Sequence, residues 1–326
     1  MTDRTIPARV LVVVENLSVP TDRRVWKEAQ ALTRQGYSVT IVCPAGTTRD
    51  RAAHERLEGV EIHRYPAREA GGEPWGYLRE FGWALWQIRR LARRLAGEQP
   101  FDVVQLCNPP DVLYLAVLSL RRRGARIVFD HHDLVPELYE ARFGGRSGVL
   151  YRLARRAERR TMRRADVVLS PNETYKSVAI ERGGKDPRDV FVVRMAPDLD
   201  RFRAVAADAS LRRGKPYLIG YAGTIGPQDG VDHALRALKL LADRRGDWHA
   251  IFAGTGDAAD DARSLATELG LADRVEFVGF VEDAELIRLL SSADVCLAPE
   301  PRNALNEAST MIKVVEYMGL GRPIVA

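Results

Sequence analysis

RVLVVVENLSVPTDRRVWKEAQALTRQGYSVTIVC, residues 9–43, decides the fold class. After Arg9 it opens on five consecutive aliphatic residues, Val10 to Val14. That is the pattern of a parallel strand covered on both faces, not of a half-solvated one. A loop over 15–21 follows, and Asp22 then stands where a helix N-cap belongs, ahead of Val25, Ala29 and Leu32 at helical spacing. Gly36 supplies a helix stop, and 38–43 (SVTIVC) returns as a second apolar strand before Pro44. Strand, helix and strand in this order form one βαβ unit.

The same alternation continues along the rest of the chain. Strands are predicted over 61–65, 102–106, 125–130, 165–170 and 190–194, with helices over 74–97, 111–122 and 148–164. A polar stretch over 197–215 carries little apolar periodicity and reads as a linker. Alternation then restarts, with strands over 217–222, 249–253, 275–278, 295–298 and 323–326, and helices over 230–244, 258–269, 283–290 and 310–318. The predicted class is α/β: two Rossmann-like, doubly wound parallel-sheet domains, 1–196 and 216–326, facing a cleft. The sequence stops at Ala326, straight after an apolar strand. Such a strand normally leads into a crossover helix, so the expectation is a natural C-terminus further on; a last edge strand is the alternative.

Composition sets the outer limits. The 326 residues are 46% hydrophobic and 29% charged, which excludes a disordered, collagen-like or disulfide-framework chain and suits two compact domains. A net charge of +5 is too small for a nucleic-acid coat, and no stacking platform or known motif supports nucleic acid as a partner. Cys43, Cys107 and Cys296 are far apart, odd in number and set in apolar runs, as buried free thiols are. The start, Met1-Thr2-Asp3-Arg4, has no signal design, and the longest apolar stretch, around 112–118, is half of the ~20 residues that span a bilayer. The expectation is a cytoplasmic protein, with a peripheral place on the membrane open to it. Two arginine-rich helices bear on that choice: 74–97 mixes Trp83 and Trp86 with arginines, and 152–164 holds seven arginines. Either lies on the anionic inner leaflet or presents a solvated face.

In open α/β sheets ligands bind beyond the carboxyl ends of the strands. The first such loop, Glu15-Asn16-Leu17-Ser18-Val19-Pro20, has no glycine, which argues against a dinucleotide in the first half. In the second half, Gly254-Thr255-Gly256 opens a helix, either as a tight turn or as a phosphate contact. The loop Gly223-Thr224-Ile225-Gly226-Pro227-Gln228-Asp229-Gly230 lets amides converge at a helix start, where an anion is welcome. Further on, Ser309 or Thr310 is predicted to cap a helix. Lys313 adds a point charge for a diphosphate, and Glu316, three residues on, can accept ribose hydroxyls or simply pair with Lys313. His131-His132-Asp133 follows the strand over 125–130. It is also a conceivable metal fragment, but no remote third ligand is evident.

Taken in order, Asp22-Arg23-Arg24-Val25, Asp130-His131-His132-Asp133-Leu134-Val135-Pro136-Glu137, Gly220-Tyr221-Ala222-Gly223-Thr224, Phe252-Ala253-Gly254-Thr255-Gly256, Val278-Gly279-Phe280-Val281, Ala293-Asp294-Val295-Cys296-Leu297-Ala298-Pro299 and the closing Glu316-Tyr317-Met318-Gly319-Leu320-Gly321-Arg322-Pro323 resemble the retaining glycosyltransferases of family 4, with the GT-B fold. The likeness is nearest to the branch of surface-polysaccharide and O-antigen assembly. It implies a metal-independent hexosyltransferase with no cofactor beyond a nucleoside-diphosphate sugar as co-substrate. The second domain would hold the nucleotide sugar through Gly223, Thr224, Asp229, Gly230, Gly254, Val281, Ser309, Thr310, Lys313 and Glu316. The first would hold a saccharide or lipid-linked acceptor, with His132 and Asp133 at the catalytic end. Two departures stand out: eight positions before Glu316 is Ala308 rather than a glutamate, and Thr224 with Gln228-Asp229-Gly230 fill the place of the usual arginine and lysine. Lys313 and Arg194 are the candidates for that missing charge. The alternatives are a nucleotide-sugar-binding fragment without turnover and a sugar-nucleotide epimerase.

Overall fold

The computed structural model describes residues 8–46, 50–68, 74–143, 148–196 and 202–326. It divides into two compact units, Met1–Arg194 and Met195–Ala326. The first unit holds strands β1 (Arg9–Val14), β2 (Ser38–Pro44), β3 (His54–Leu57), β4 (Val60–Tyr65), β5 (Val103–Cys107), β6 (Arg126–Asp130), β7 (Val167–Ser170) and β8 (Val190–Val192). Their order in the sheet is β3-β4-β2-β1-β5-β6-β7-β8, parallel except for the β3–β4 hairpin. Helices α1 (Arg23–Arg34), α2 (Pro74–Glu98), α3 (Tyr114–Arg121), α4 (Val135–Phe143), α5 (Val149–Arg164) and α6 (Glu173–Glu181) connect them.

Strand β1 shows why the aliphatic run matters. Leu11 and Val13 pack into the core shared with α2 and α3, while Val10, Val12 and Val14 pack into the core under α1. A period of two along a strand sends neighbours to opposite faces, so a strand buried on both has no position for a polar side chain. Helix α1 begins as predicted: the Asp22 carboxylate accepts from the Arg24 and Val25 amides, both at 3.1 Å.

The second unit repeats the plan with β9 (Tyr217–Ala222), β10 (Trp248–Ala253), β11 (Val275–Gly279), β12 (Val295–Leu297) and β13 (Ile324–Val325), in the order β11-β10-β9-β12-β13. Helices α7 (Val231–Ala242), α8 (Ala259–Glu268), α9 (Asp283–Ser292), α10 (Ala304–Ala308) and α11 (Ile312–Gly319) complete it. In each sheet the chain reverses its direction of travel beside the first strand, between β1 and β5 and between β9 and β12. These are the switch points at which doubly wound sheets bind ligands.

The structure adds elements the sequence reading lacks: the edge strand β3 and helices α4, α6 and α10. The helix predicted over 111–122 spans only Tyr114–Arg121. The polar residues 202–215 are laced to the second unit. Phe202 is buried in its core, the Val205 and Asp208 amides donate to Ser291 and Ser292 hydroxyls at 3.1 and 2.9 Å, and Arg212 pairs with Asp294. The first part of the predicted linker, 197–201, lies outside the described residues, as do Met1–Arg4.

Candidate functional site

In the first unit the loop after β6 carries His131, His132 and Asp133. The two histidines part company at once. His131 is fully buried, its ring between Phe129 and Tyr175 at centroid distances of 5.3 and 5.1 Å. His132 keeps a little exposure and sets Nε2 2.8 Å from Asp130 Oδ2. The loop is clamped from β5 by Asn108. Its Oδ1 accepts from the His132 and Asp133 amides, and its Nδ2 donates to the Asp133 carbonyl at 2.7 Å and to Asp111 at 2.8 Å.

Asp130 ends β6 and has no exposure at all. Its second oxygen takes the Arg24 guanidinium at 2.5 Å, and Arg24 also reaches Glu28 one helical turn on at 3.2 Å. Gln105 of β5 bridges the remaining gap, donating to Glu28 at 2.6 Å and Asp130 at 3.1 Å. A buried carboxylate is tolerated only with such partners. Burial alone would raise the Asp130 carboxyl, but His132 and Arg24 outweigh it and hold it below the usual carboxylate range. Burial and the Asp130 charge push Glu28 up, so the proton of this acid pair rests on Glu28. For His132, burial works against protonation, yet the Asp130 carboxylate prevails and the net shift is upward. Asp133 is raised, chiefly by burial.

Cys107 Sγ, Asp130 and His132 present donor atoms within 4.8 Å of one another, a metal-sized triangle. Two features make it a poor metal site. Burial pushes the Cys107 thiol well above its ordinary value, away from the thiolate a metal needs, and Arg24 already supplies the cation at Asp130.

In the second unit the loops after β9, β10 and β12 meet. Gly223, at φ +153°, turns the chain away from β9, and a Cβ there would lie 2.8 Å from Lys313 Cε. Gly254, at φ +148°, is packed so closely that a Cβ would fall 1.8 Å from the Gly223 carbonyl oxygen. A Cβ on Gly256 would lie 2.5 Å from the Ile225 carbonyl oxygen. Only glycine tolerates these approaches. Several loop amides are already committed: Gly223 donates to Ala253, Ile225 to Thr255, and Gly226 to the Asp229 carboxylate. Gly230 caps α7 in the left-handed region, against the Pro299 carbonyl. Thr224 is exposed, with its carbonyl accepting from the Tyr221 hydroxyl at 2.6 Å.

Lys313 is buried beneath the Gly223 turn. Its Nζ pairs with Glu300, lies 3.1 Å from Tyr221 Oη and 3.9 Å from Asp229, and sits 4.7 Å from the Tyr221 ring centroid. Glu316 is buried one turn further along α11; the lysine's ion-pair partners are Glu300 and Asp229, not Glu316. Between the two, Tyr317 fixes the helix: its hydroxyl accepts from the Ala222 amide at 2.8 Å and lies 3.3 Å from the Leu297 carbonyl.

The predicted cap needs correction. Helix α11 starts at Ile312 with Met311 at the N-cap, and Met311 makes no capping hydrogen bond. Ser309 instead closes the one-turn helix α10, its hydroxyl donating to the Leu305 carbonyl at 2.8 Å, and Thr310 lies between the two helices. Asn303 caps the start of α10, and Ser309 stands at its end, three residues before α11 begins. Val281 packs against the core of the second unit, and Arg194 is exposed just past β8. Sequence reasoning missed Arg24, Glu28, Gln105, Asn108 and Glu300, whose partners are remote in the chain.

Two Rossmann-like units, each with its polar cluster at the switch point, define the two-domain α/β class of GT-B glycosyltransferases. The comparisons with known proteins agree. Residues 21–201 match the family described as Glycosyltransferase Family 4, and residues 216–326 match Glycosyl transferases group 1. The chain belongs to glycosyltransferase family 4.

It is 31% identical over 314 residues to an uncharacterized glycosyltransferase, MJ1607, of Methanocaldococcus jannaschii, covering 91% of this chain and 73% of that protein. It is 31% identical over 176 residues to the 2-deoxystreptamine glucosyltransferase of Streptomyces kanamyceticus, covering 52% of this chain and 44% of the relative. Against several curated relatives the chain spans about half their length or less. The fold is shared with sucrose-phosphate synthase of Thermosynechococcus elongatus, at TM-score 0.75 and 15% identity over 97% of this chain and 80% of that one. It is shared too with HepE of Anabaena in complex with UDP-glucose, at TM-score 0.67 and 18% identity over 98% and 80%. Among the described residues no helix is long and apolar enough to cross a membrane.

Proposed function

We propose that the protein is a retaining glycosyltransferase that moves a hexosyl group from a nucleoside-diphosphate sugar to a saccharide or lipid-linked acceptor in surface-polysaccharide synthesis. The observation that carries this reading is the buried Lys313 ammonium set against the Gly223 turn at the β9/β12 switch point. A desolvated cation beside a glycine turn is a diphosphate site, and the HepE complex, which holds UDP-glucose on the same fold, supports it. Lys313 here exchanges its carboxylate partners, Glu300 and Asp229, for phosphate oxygens, and Glu316 accepts ribose hydroxyls.

In the reaction the bond from the anomeric carbon to the diphosphate oxygen breaks while the acceptor oxygen bonds to that carbon on the same face. The acceptor proton leaves with the diphosphate. Lys313 stabilises the charge that grows on the leaving group. His132, fixed by Asp130, orients the reacting sugar, and Asp133 stands beside it at the catalytic end. No metal or further cofactor enters. The seven arginines of α5 from Arg152 to Arg164 are all exposed, which suits a cytoplasmic enzyme resting on an anionic leaflet.

A panel of nucleoside-diphosphate sugars tested by thermal shift identifies the donor, because a ligand that binds only the folded state raises Tm. With that donor, Lys313→Ala abolishes the shift and His132→Ala keeps the shift but loses turnover. Turnover within a few-fold of the parent in both variants would overturn the site.

A further inference from the structure

Where β6 ends, the chain runs out of strand partners. The β5–β6 register closes on Cys107 and Asp130, and the His131 amide still donates to the Leu169 carbonyl of β7 at 3.0 Å. Helix α4 begins only at Val135. The His132 and Asp133 amides and the Asp133 carbonyl lie between these two elements and belong to neither. Backbone groups in so enclosed a place need partners from elsewhere.

One side chain supplies all three. Asn108 stands directly after β5, is 1% exposed, and donates its own amide to the Asp130 carbonyl at 3.3 Å. Its Oδ1 accepts from the His132 amide at 2.6 Å and the Asp133 amide at 3.2 Å. Its Nδ2 donates to the Asp133 carbonyl at 2.7 Å and to Asp111 Oδ1 at 2.8 Å. A carboxamide offers two lone pairs and two N–H groups, and here every one is used. The side chain serves as a peptide unit added to the end of β5, carrying the sheet one step past its last strand residue.

The consequence falls on His132. Asp130 holds the ring at a single point, Nε2, at 2.8 Å, and is itself anchored by Arg24 and Gln105. One point leaves a ring free to swing about it. The bond from the His132 amide to Asn108 adds a second point, on the main chain of the same residue, and the ring is then fixed at both ends. Such precision matters at a reacting centre, where a displacement of about 1 Å costs on the order of 100-fold in rate.

We propose that Asn108 is a positioning residue for the transfer reaction, acting through His132: it sets the main chain so that the ring tethered to Asp130 meets the donor sugar at one angle. This rests on the reading of His132 as the residue that orients the reacting sugar.

Two measurements on the full chain decide it. Histidine isotope-labelled at Cε1 gives one NMR signal for each of the six histidines, and the His132 signal is the one missing from His132→Ala. In Asn108→Ala that signal shifts or broadens, while the His249 signal in the second unit stays in place. The second measurement is nucleoside-diphosphate release from the donor that the thermal-shift panel identifies. Asn108→Ala lowers kcat about 10- to 100-fold and leaves the donor KM within about twofold. On the residual turnover of His132→Ala, read at high enzyme concentration, the same substitution costs no more than about twofold. Thermal melts give the folded fraction. Asn108→Asp keeps an acceptor for the two amides and the volume of the side chain, so it carries the same cycle if the alanine variant does not fold. An unmoved His132 signal, or a fall in kcat as large without His132 as with it, overturns the proposal. A His132 signal that moves in a parent chain that turns over no donor sinks the transferase reading instead.

Discussion

The two switch points solve the same problem with different materials. In the first unit the loop that carries His132 is fixed by side chains: Arg24 and Glu28 of α1, Gln105 of β5, Asp130 of β6, and Asn108 directly after β5. In the second unit the Gly223 turn is fixed by backbone packed on backbone, with glycines at 223, 254 and 256 and a single buried lysine beside them. A network of buried charges holds a side chain at a set angle but fails badly when one member is lost. A glycine stack brings amides and carbonyls close to a ligand and fails only when bulk is added.

That contrast can be broken hardest at Asp130. Its replacement by alanine strands Arg24 in a desolvated site, and chemical denaturation should register a loss of about 3–5 kcal/mol, against much less for His132→Ala. Next comes Lys313→Ala, for which kcat/KM with the true donor falls about 100- to 1000-fold; the melting temperature falls too, because the Glu300 carboxylate loses its partner. Gly254→Ala forces a methyl against the Gly223 carbonyl at a positive φ; denaturant midpoints should show a cost of about 1–3 kcal/mol, confined to the second unit.

A smaller effect sharpens the comparison by pH. Burial and Glu80 raise the Glu15 carboxyl to about 8. The native state therefore keeps a proton that the unfolded chain sheds above about 4.5, and this group weakens the fold progressively as pH rises from there to about 8. Glu15→Gln removes the titration, so its stability relative to the parent climbs across that window by about 1–3 kcal/mol. Measured at pH 5 and pH 8, a constant difference would contradict the shift. Smallest is Tyr317→Phe, which deletes one buried hydroxyl that meets the Ala222 amide and costs about 1 kcal/mol by the same measurement.

Much of this molecule was legible in its sequence because the physics was local. Aliphatic runs such as 10–14 and caps such as Asp22 report on themselves. So do the glycines at 223 and 254, since only special backbone geometry calls for them. What stayed hidden depended on distance in the chain: Arg24 meets Asp130 across 106 positions, and Gln105 meets Glu28 across 77. The edge strand His54–Leu57 was missed because its burial alternates weakly, exposed and half-buried, with no apolar face to betray it. Ser309 and Thr310 misled for another reason. Their hydroxyls fit a helix start as well as a helix end, and the extra turn α10, ending at Ala308, puts Ser309 at an end.

The contact of Gly254 with the Gly223 carbonyl reaches beyond its own neighbourhood. Where one peptide unit rests directly on another, neither can rock without carrying its neighbour, as with two gear teeth. Whatever seats itself on the first of these turns therefore quiets the second as well. In hydrogen exchange, protection gained by the residues after β9 should spread to the start of α8, residues far apart in the chain yet mechanically one.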